Sequence, residues 1–424
     1  MKRYDSYKDS RVQWLGEIPS HWDAIKISRV FSNIGSGTTP SSGSSEYYCD
    51  NGINWLQSGD LNDGYISETS QHITIKAVKD KNMKVYPKGS LAIAMYGATI
   101  GKLGILEIES TTNQACCIIP PQKQSSNIYL KFVFQSAKNY LLQQSNGGGQ
   151  PNISQAIIKA LYIPIPPLVE QETIVTFLEE KTGEIDGLVS KIECEIDLLK
   201  EYKQAEIARI VTKGLNPNVP MKSSGISWIG EMPAHWDVQK INQNFTERRE
   251  KVSDKDFEPL SVTKSGVMPQ LDTAAKTNNG DNRKRVCKGD FVVNSRSDRK
   301  GSCGFSQYDG SVSLINTVLI PRKNIFGRYY HYVFRSNDFI EEFYRLGRGI
   351  VADLWTTRYT EQRNIMIPVP PIEEQQKMVD FIDKRASKID QLIEELTNQV
   401  GYLKEYKQRL IADVVTGKIN VQPN

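Results

Sequence analysis

The 424-residue sequence is poor in cysteine and histidine, and its few copies fall in no pattern typical of a metal site or a disulfide framework. Its six cysteines include no CxxC pair, and its four histidines include no HExxH motif. No apolar run reaches the roughly 18–20 residues of a membrane-spanning helix, and the amino terminus lacks the apolar segment of a secretory signal. These absences predict a cytoplasmic protein with reduced cysteines and no structural metal.

Motifs that would mark an enzyme active site are also missing. The sequence GATIGKL at residues 97–103 has three residues between its glycines and a leucine after the lysine, so it does not match a Walker A loop. No GxGxxG opens a helix, and no Ser/His/Asp order or nuclease-like group of carboxylates and lysine is evident. The chain is therefore predicted to be non-catalytic and to hold no cofactor or metal of its own.

What the sequence does have is an internal repeat, because its second half copies parts of its first. DSRVQWLGEIPSHWDAIKI shares ten of 19 positions with SSGISWIGEMPAHWDVQKI, PIPPLVEQ returns as PVPPIEEQ, and LKEYKQ is repeated unchanged. Because His21-Trp22 and His235-Trp236 recur with this frame, we expect them to pack rather than to catalyse. Each half is a constant frame around a divergent middle. The repeated blocks lie at residues 9–27 and 223–241, 161–171 and 365–375, and 199–204 and 403–408.

A long helix is predicted after each proline pair, over about 170–212 and about 373–416. Apolar residues recur there every seven positions, which is typical of helices that pair as a coiled coil. Each helix could instead pack on its own domain, but two matched stripes in one chain favour mutual, antiparallel pairing. The residues predicted to pair are Leu178, Ile185, Ile192 and Leu199 in the first helix and Ile382, Ile389, Leu396 and Leu403 in the second.

The divergent middles combine short β-rich runs such as LAIAMY and TVLI with turns rich in Gly, Ser and Asn. They are predicted to be two mixed α/β (α+β) domains, related by a pseudo-two-fold repeat and separated by two long antiparallel coiled-coil helices. The predicted segments are 1–160 for the first domain, 161–216 for the first helical region and linker, 217–364 for the second domain and 365–424 for the second helical region.

The small net charge of +4 hides an uneven distribution. Residues 20–160 carry 12 basic and 9 acidic residues, and residues 234–364 carry 22 and 16, so both domains are basic. The helices are acidic, with net charges of −6 over 170–212 and −1 over 373–418. Since phosphate contacts supply most non-specific nucleic-acid affinity, the domains are predicted to bind nucleic acid and the helices to bind protein.

Candidate nucleic-acid contacts differ in kind between the two domains. Those of the first are mostly polar, and Asn and Gln can pair with adenine or satisfy buried backbone groups. Those of the second are mostly basic, and arginine can pair with guanine, hold a phosphate or remain a solvated charge. The first set is Thr38, Thr39, Ser58, Asp60, Tyr96, Thr99, Lys102, Asn113, Gln114, Gln150 and Asn152; the second is Lys264, Arg283, Lys284, Arg285, Arg296, Arg299, Lys300, Arg348 and Arg358.

Over nearly its whole length the sequence resembles the specificity subunits of type I DNA restriction–modification systems. The resemblance rests on the duplicated PPxxEQ block, each copy followed by a long helix. In the first domain, GTTP, EYY, INWLQSGDL, KGSLAIAMYGATIG and TNQA are similar to one subtype of target recognition domain in that family. In the second, KGDFVVNSRSDRKGSCG and DGSVS resemble another subtype.

This resemblance implies partners and cofactors outside the chain. Two modification subunits would bring S-adenosylmethionine and methylate adenine, and restriction subunits would bring ATP- and Mg-dependent translocation and cleavage. The chain itself would bind double-stranded DNA and no membrane. Because the two domains differ, the expected target is bipartite and asymmetric, with half-sites about one helical turn, roughly 34–36 Å, apart. The alternative is a coiled-coil scaffold whose basic domains bind protein or RNA.

Overall fold

The computed structural model describes residues 2–123, 125–145, 151–270, 280–323, 325–349 and 355–423. The chain divides into two compact units, one comprising residues 1–192 and 398–424 and the other residues 193–397. Each unit contains one divergent middle together with parts of both long helices. The predicted fold class, mixed α/β domains combined with two long helices, is confirmed.

The described part of the first unit has thirteen strands, and its sheets enclose a core shared with a 17-residue helix. A five-stranded sheet has the order β4-β12-β9-β10-β7, and a four-stranded sheet has the order β11-β6-β8-β5. The strands are β1 (Tyr7–Asp9), β2 (Glu17–Pro19), β3 (Asp23–Lys26), β4 (Gly35–Ser36), β5 (Tyr48–Cys49), β6 (Ile53–Leu56), β7 (Tyr65–Ile66), β8 (His72–Ile73), β9 (Leu91–Ala94), β10 (Leu103–Leu106), β11 (Ser110–Thr112), β12 (Cys116–Ile119) and β13 (Tyr162–Ile165). The helices are α1 (Ile27–Val30), α2 (Ile75–Asp80), α3 (Asn127–Gln143), α4 (Gln155–Ala160) and the long α5 (Leu168–Lys213), which continues into the second unit.

The second unit follows the same plan with shorter helices. In its described part, a four-stranded sheet has the order β17-β25-β22-β23, a three-stranded sheet has the order β18-β21-β24, and β19 pairs with β20. The strands are β14 (Met221–Ser223), β15 (Glu231–Pro233), β16 (Asp237–Lys240), β17 (Phe245–Glu247), β18 (Lys251–Val252), β19 (Leu260–Thr263), β20 (Gly266–Pro269), β21 (Arg283–Val286), β22 (Phe291–Asn294), β23 (Cys303–Phe305), β24 (Gly310–Ser313), β25 (Asn316–Pro321) and β26 (Met366–Val369). The helices are α6 (Ile241–Asn244), α7 (Gly327–Val333), α8 (Asn337–Arg345), α9 (Tyr359–Gln362) and the long α10 (Ile372–Val415).

The two long helices run antiparallel within each unit. In the first unit, the Tyr129 hydroxyl donates to Pro164 O just before α5 and also lies 3.3 Å from Val415 O at the end of α10. Further along, Lys407 Nζ donates to Asp186 at 2.7 Å. The beginning of α5 therefore lies beside the end of α10.

The second unit repeats this arrangement with the helices exchanged. The Tyr329 hydroxyl donates to Val211 O near the end of α5, and Tyr330 donates to Pro368 O just before α10. Lys203 Nζ donates to Asp390 at 2.5 Å, and these residues are the repeat equivalents of Lys407 and Asp186. Of the residues predicted to pair the helices, Leu178, Ile185, Ile382, Ile389 and Leu396 are buried, whereas Ile192, Leu199 and Leu403 are half-buried.

The repeated PPxxEQ and His-Trp motifs form one clamp in each unit. In the first, Glu170 accepts the Trp22 indole N–H at 3.0 Å, and its other oxygen lies 2.7 Å from His21 Nε2. Glu374 makes the same pair of contacts with His235 and Trp236. The acid therefore joins the start of each long helix to the strand pair formed by the repeated blocks, β3 with β13 and β16 with β26.

The glutamine of each motif caps a neighbouring segment. Gln171 Oε1 accepts the Ser126 backbone N–H at 3.0 Å, where α3 begins, and Gln375 Oε1 accepts the Phe326 backbone N–H at 2.9 Å, where α7 begins. Both amide groups also donate to the carbonyl of the first proline of the pair. The frame thus fixes the globular part of each unit to a long helix.

Candidate nucleic-acid interface

Segments that follow several strands meet at one edge of the first unit. β6 and β11 are parallel, so their carboxyl ends lie together, and the end of β9 lies beside the start of its antiparallel neighbour β12. Backbone hydrogen bonds join the segments beyond these ends. They are Thr38 N–H to Thr112 O (3.0 Å), Asn113 N–H to Leu56 O (3.1 Å), Met95 N–H to Ala115 O (2.8 Å) and Ile153 N–H to Met95 O (2.8 Å). Residues far apart in sequence therefore form one continuous rim.

Most candidates of the first domain lie along this rim. Thr38, Thr39, Gln114 and Asn152 are exposed, and the Thr39 hydroxyl donates to Gln114 Oε1 at 2.5 Å. The residues Ser58, Tyr96, Thr99 and Lys102 are half-buried at the same edge, and Gln150 lies outside the described residues. The rim presents hydroxyl, amide and ammonium groups, which are the groups that read base edges and hold phosphates.

Two of the polar candidates hold the rim together. The Asp60 carboxylate accepts the backbone N–H groups of Gln57 at 2.8 Å and Ser70 at 3.2 Å. The Asn113 side-chain oxygen accepts the Ala115 N–H at 3.0 Å. In this structure both side chains satisfy backbone donors, and for Asn113 this is the second of the two possibilities that the sequence left open.

The corresponding edge of the second unit contains a cleft of about 480 Å³. The residues after β22 bond there to the segment before α9, because Thr357 N–H donates to Ser295 O at 2.9 Å and Ser297 N–H donates to Trp355 O at 3.0 Å. Lys284 and Arg358, both predicted from the sequence, line the cleft. Its other lining residues are Glu247, Arg249, Ser295, Leu314, Ile315, Thr317, Thr356, Tyr359 and Thr360.

The three consecutive basic residues of strand β21 have different surroundings. Arg283 is buried, and its Nε donates to Ser311 Oγ at 2.8 Å while burial lowers the pKa of the guanidinium. Lys284 donates to Asn316 O at 2.8 Å, and burial lowers its pKa as well. Arg285 pairs with Glu250 at 2.8 Å, and that hydrogen bond raises the pKa of the guanidinium. Only Lys284 of the three lines the cleft, since alternate residues of a strand face opposite sides.

The remaining basic candidates are paired with acids or lie elsewhere. Lys264 and Lys300 line a separate groove, of about 570 Å³, beside residues of α5 and α10 in the second unit. Arg358, which lines the cleft, occupies the N-cap position of α9 and is exposed. The ion pairs of the others are Arg296 with Asp298 (2.8 Å), Arg299 with Asp298 (3.8 Å), Arg348 with Glu361 (3.9 Å) and Lys300 with Glu341.

Several cleft residues escaped the sequence analysis. Arg249 has a side chain 78% exposed beside Glu247, and it could have been found from the basic pair at 248–249. Leu314 and Ile315 lie in an apolar run that resembles a buried strand, so their exposure carried no sequence signal.

A second repeated surface lies on the long helices. In the first unit, Leu188 of α5 and Tyr402 and Tyr406 of α10 are 49%, 70% and 49% exposed. Their repeat equivalents in the second unit, 204 positions away, are exposed too. Each unit thus exposes large apolar side chains at the same three repeat positions, a pattern more typical of a protein-binding surface than of scattered surface residues. The equivalents are Leu392, Leu198 and Tyr202, which are 40%, 59% and 45% exposed.

The described residues contain neither a metal-binding cluster nor a membrane-spanning helix. No group of three or more His, Cys, Asp or Glu side chains within them could hold a metal ion. Nor does any helix in those ranges combine the length and the apolar character needed to cross a membrane.

Comparison with protein families matches residues 19–197 to the type I restriction modification DNA specificity domain. The MjaVIII specificity subunit of Methanocaldococcus jannaschii is 24% identical over 96% of this chain and 94% of its own length. The EcoKI specificity subunit of Escherichia coli K12 is 21% identical over 96% and 91%. The M. jannaschii MjaIX specificity subunit is 29% identical, over 54% of this chain and about half (52%) of that subunit.

Solved structures show the same fold over almost the whole chain. A chain from a structural study of complex assembly and conformational transition in the type I R-M system has a TM-score of 0.69 at 14% identity. It covers 95% of this chain and 99% of its own. The HsdS subunit of Thermoanaerobacter tengcongensis has a TM-score of 0.54 at 15% identity, covering 95% and 98%. These comparisons do not support the alternative of a coiled-coil scaffold.

Proposed function

We propose, from the premise that the chain belongs to the family of type I restriction–modification specificity subunits, that it recognises a bipartite and asymmetric DNA target. Each divergent domain would read one half-site, and the long helices would set the distance between the half-sites. The observation that carries this proposal is the pair of equivalent edges on a duplicated frame. One edge is polar, with amide and hydroxyl groups, and the other is cationic, with an apolar turn.

The two edges suit double-stranded DNA in complementary ways. Exposed amide and hydroxyl groups, as at Thr39 and Gln114, can make hydrogen bonds to base edges in the major groove. The ammonium and guanidinium groups of Lys284, Arg249 and Arg358 can neutralise phosphates along the backbone. Because the groups differ between the edges, the two half-sites should differ in sequence.

We further propose that two modification subunits bind the chain, one on each unit. The apolar trio repeated 204 positions apart supports this, because equivalent surfaces should bind equivalent partners. The chain would itself be non-catalytic. The modification subunits would bring S-adenosylmethionine for adenine methylation, and restriction subunits would bring the ATP- and Mg-dependent steps. We place this assembly in the cytoplasm, where its six free cysteines would stay reduced.

Exchange of one domain tests the division of the target. Residues 234–364 should be replaced by the recognition domain of another specificity subunit, and methylated adenines should be mapped in a host that also carries the modification subunit. One half of the recognised sequence should change while the other half and the gap remain. Simultaneous change of both halves would contradict the assignment of one half-site to each domain.

The partner surfaces have a matched test. Tyr402→Asp alters the trio of the first unit, and Leu198→Asp alters the equivalent position of the second. Each single variant should bind one modification subunit, and the double variant should bind none, as measured by native mass spectrometry. Loss of both partners from one single variant, or retention of both by the double variant, would contradict two equivalent sites.

A further inference from the structure

The turn between β24 and β25 exposes two large aliphatic side chains at the edge of the second unit. Leu314 is 40% exposed and Ile315 is 38% exposed. In the described part of this unit, no other two consecutive large apolar residues are both exposed to this extent. In the two flanking strands, Val312 of β24 and Val318 of β25 are fully buried. The exposed pair therefore departs from the burial pattern of the strands that the turn connects.

The turn is held firmly by its neighbours. Asn316 Nδ2 donates to Ser313 O at 3.1 Å across the turn, and Lys284 Nζ donates to Asn316 O at 2.8 Å. Asn316 is also paired in register with Asn294 at the end of β22. A fixed turn presents its two side chains in a defined position, so it loses little conformational freedom when a ligand covers them.

The surroundings of the turn select a polyanion. Leu314 and Ile315 line the same cleft as Lys284, Arg249 and Arg358, and as Glu247, which lies 2.7 Å from Arg249 and 3.6 Å from Lys284. Three cations against one acid leave the cleft with a net positive charge. Apolar side chains surrounded by cations suit a ligand that has phosphates outside and apolar groups between them. The major groove of DNA is such a ligand, because thymine places a 5-methyl group there between the two phosphate backbones.

The first unit has different chemistry at the corresponding turn. The turn between β11 and β12 contains Asn113 and Gln114, and Gln114 is exposed beside Thr39. An amide pairs with adenine N6 and N7, whereas an aliphatic side chain contacts the thymine methyl. The corresponding turns thus carry polar side chains in one unit and apolar side chains in the other.

We propose that Leu314 and Ile315 determine specificity by contacting the 5-methyl group of thymine in the second half-site. This inference rests on the proposed function and deepens it. A half-site in which adenine is methylated contains an A·T pair, so a thymine is present on one of its strands. The cations of the cleft would hold the flanking phosphates. The turn would distinguish thymine from cytosine by contact with the methyl group and not by a hydrogen bond.

Replacing thymine by uracil removes the methyl group and leaves the base-pairing edge unchanged. The full chain, in complex with its modification subunits, should be titrated with the mapped target carrying uracil at one thymine position at a time. Burial of a methyl group contributes about 0.8 kcal/mol, so uracil at the contacted position should weaken binding about fourfold. Uracil in the first half-site, away from this turn, provides the baseline.

The paired variant Leu314→Asn/Ile315→Gln gives the turn the polar pair found in the first unit. It should bind the thymine and uracil duplexes equally, and the milder Leu314→Ala and Ile315→Ala should each reduce the difference. Tyr308→Asn is the matched control, because Tyr308 is 43% exposed before the other end of β24 and should leave the fourfold difference intact.

Three outcomes would overturn the inference. Native complex that binds every uracil duplex as tightly as the thymine duplex would exclude a methyl contact. A paired variant that keeps the fourfold difference would assign the contact to other residues. A paired variant that loses its modification subunits while keeping the difference would make the turn a partner surface. By contrast, a native complex without any preference for its mapped duplex over random DNA would refute the proposed function itself.

Discussion

Replacing Glu170 by alanine should open the clamp that joins the first long helix to the repeated strand pair. The Glu170 carboxylate, 17% exposed, accepts from the fully buried Trp22 at 3.0 Å and contacts His21 at 2.7 Å. The Tyr4 hydroxyl also donates to it at 3.4 Å, and burial together with this carboxylate raises the pKa of Tyr4, so that the donor keeps its proton.

The structure sets the size of the effect. A hydrogen bond to a charged group contributes about 1.5–3 kcal/mol, and an unsatisfied buried N–H costs about 1–3 kcal/mol. Because one carboxylate serves several donors, Glu170→Ala should destabilise the local structure by about 2–3 kcal/mol. If the Trp22 indole exchanges its hydrogen through local opening, that free energy corresponds to roughly 30- to 150-fold faster exchange, which NMR of ¹⁵N-tryptophan protein can measure.

The second unit supplies an internal comparison. Glu374 is 38% exposed, more than Glu170, and within the described residues its side chain bonds to Trp236 and His235, without an equivalent of Tyr4. Solvent should compensate part of its loss, so Glu374→Ala should accelerate exchange of the Trp236 indole less than Glu170→Ala accelerates that of Trp22. Equal or reversed effects, or an unchanged Trp22 rate, would refute the reasoning.

The structure also predicts how a pH change and two glycine substitutions affect stability. Burial and the charge of nearby Arg335 and Arg328, only partly offset by Asp383, lower the pKa of His331 to about 4. The pKa of this histidine in the unfolded chain is near 6.5. The free energy of unfolding of the second unit should therefore decrease by up to about 3 kcal/mol as the pH falls from about 6.5 through 4. His331→Gln should flatten this slope in urea unfolding. Gly417 has φ +75° and its Cβ would lie 2.3 Å from Pro19, so Gly417→Ala should cost at least about 2 kcal/mol. Gly16→Ala, with φ +64° and no atom within 4 Å of the added Cβ, should cost about 1 kcal/mol, and urea unfolding of the two glycine variants measures both losses.

The frame was predictable because its signals are periodic or duplicated. Seven-residue spacing predicted helices over about 170–212 and 373–416, and the structure has them at Leu168–Lys213 and Ile372–Val415. The proline pair and the glycine after each helix mark the ends, since proline suits a helix start and Gly214 and Gly417 take positive φ. The clamp itself was not predictable, because it joins residues 149 positions apart by a side-chain contact.

The contacts of the candidate interface were less accessible from sequence. Arg283 and Lys284 are neighbours in the same basic run, yet one is buried on Ser311 and the other lines the cleft. Charge alone does not reveal which face of a strand a residue occupies. Leu314 and Ile315 show the opposite case, since an apolar pair predicts burial and the turn exposes it.

Insertion into the long helices tests the central claim most directly, namely that they set the distance between two unlike half-sites. Four residues added to each helix lengthen it by about 6 Å, which corresponds to up to about 2 bp at 3.4 Å per base pair. Mapped methylation sites should keep both half-sites and acquire a gap wider by up to about 2 bp. An active complex that retains the original gap would contradict the claim.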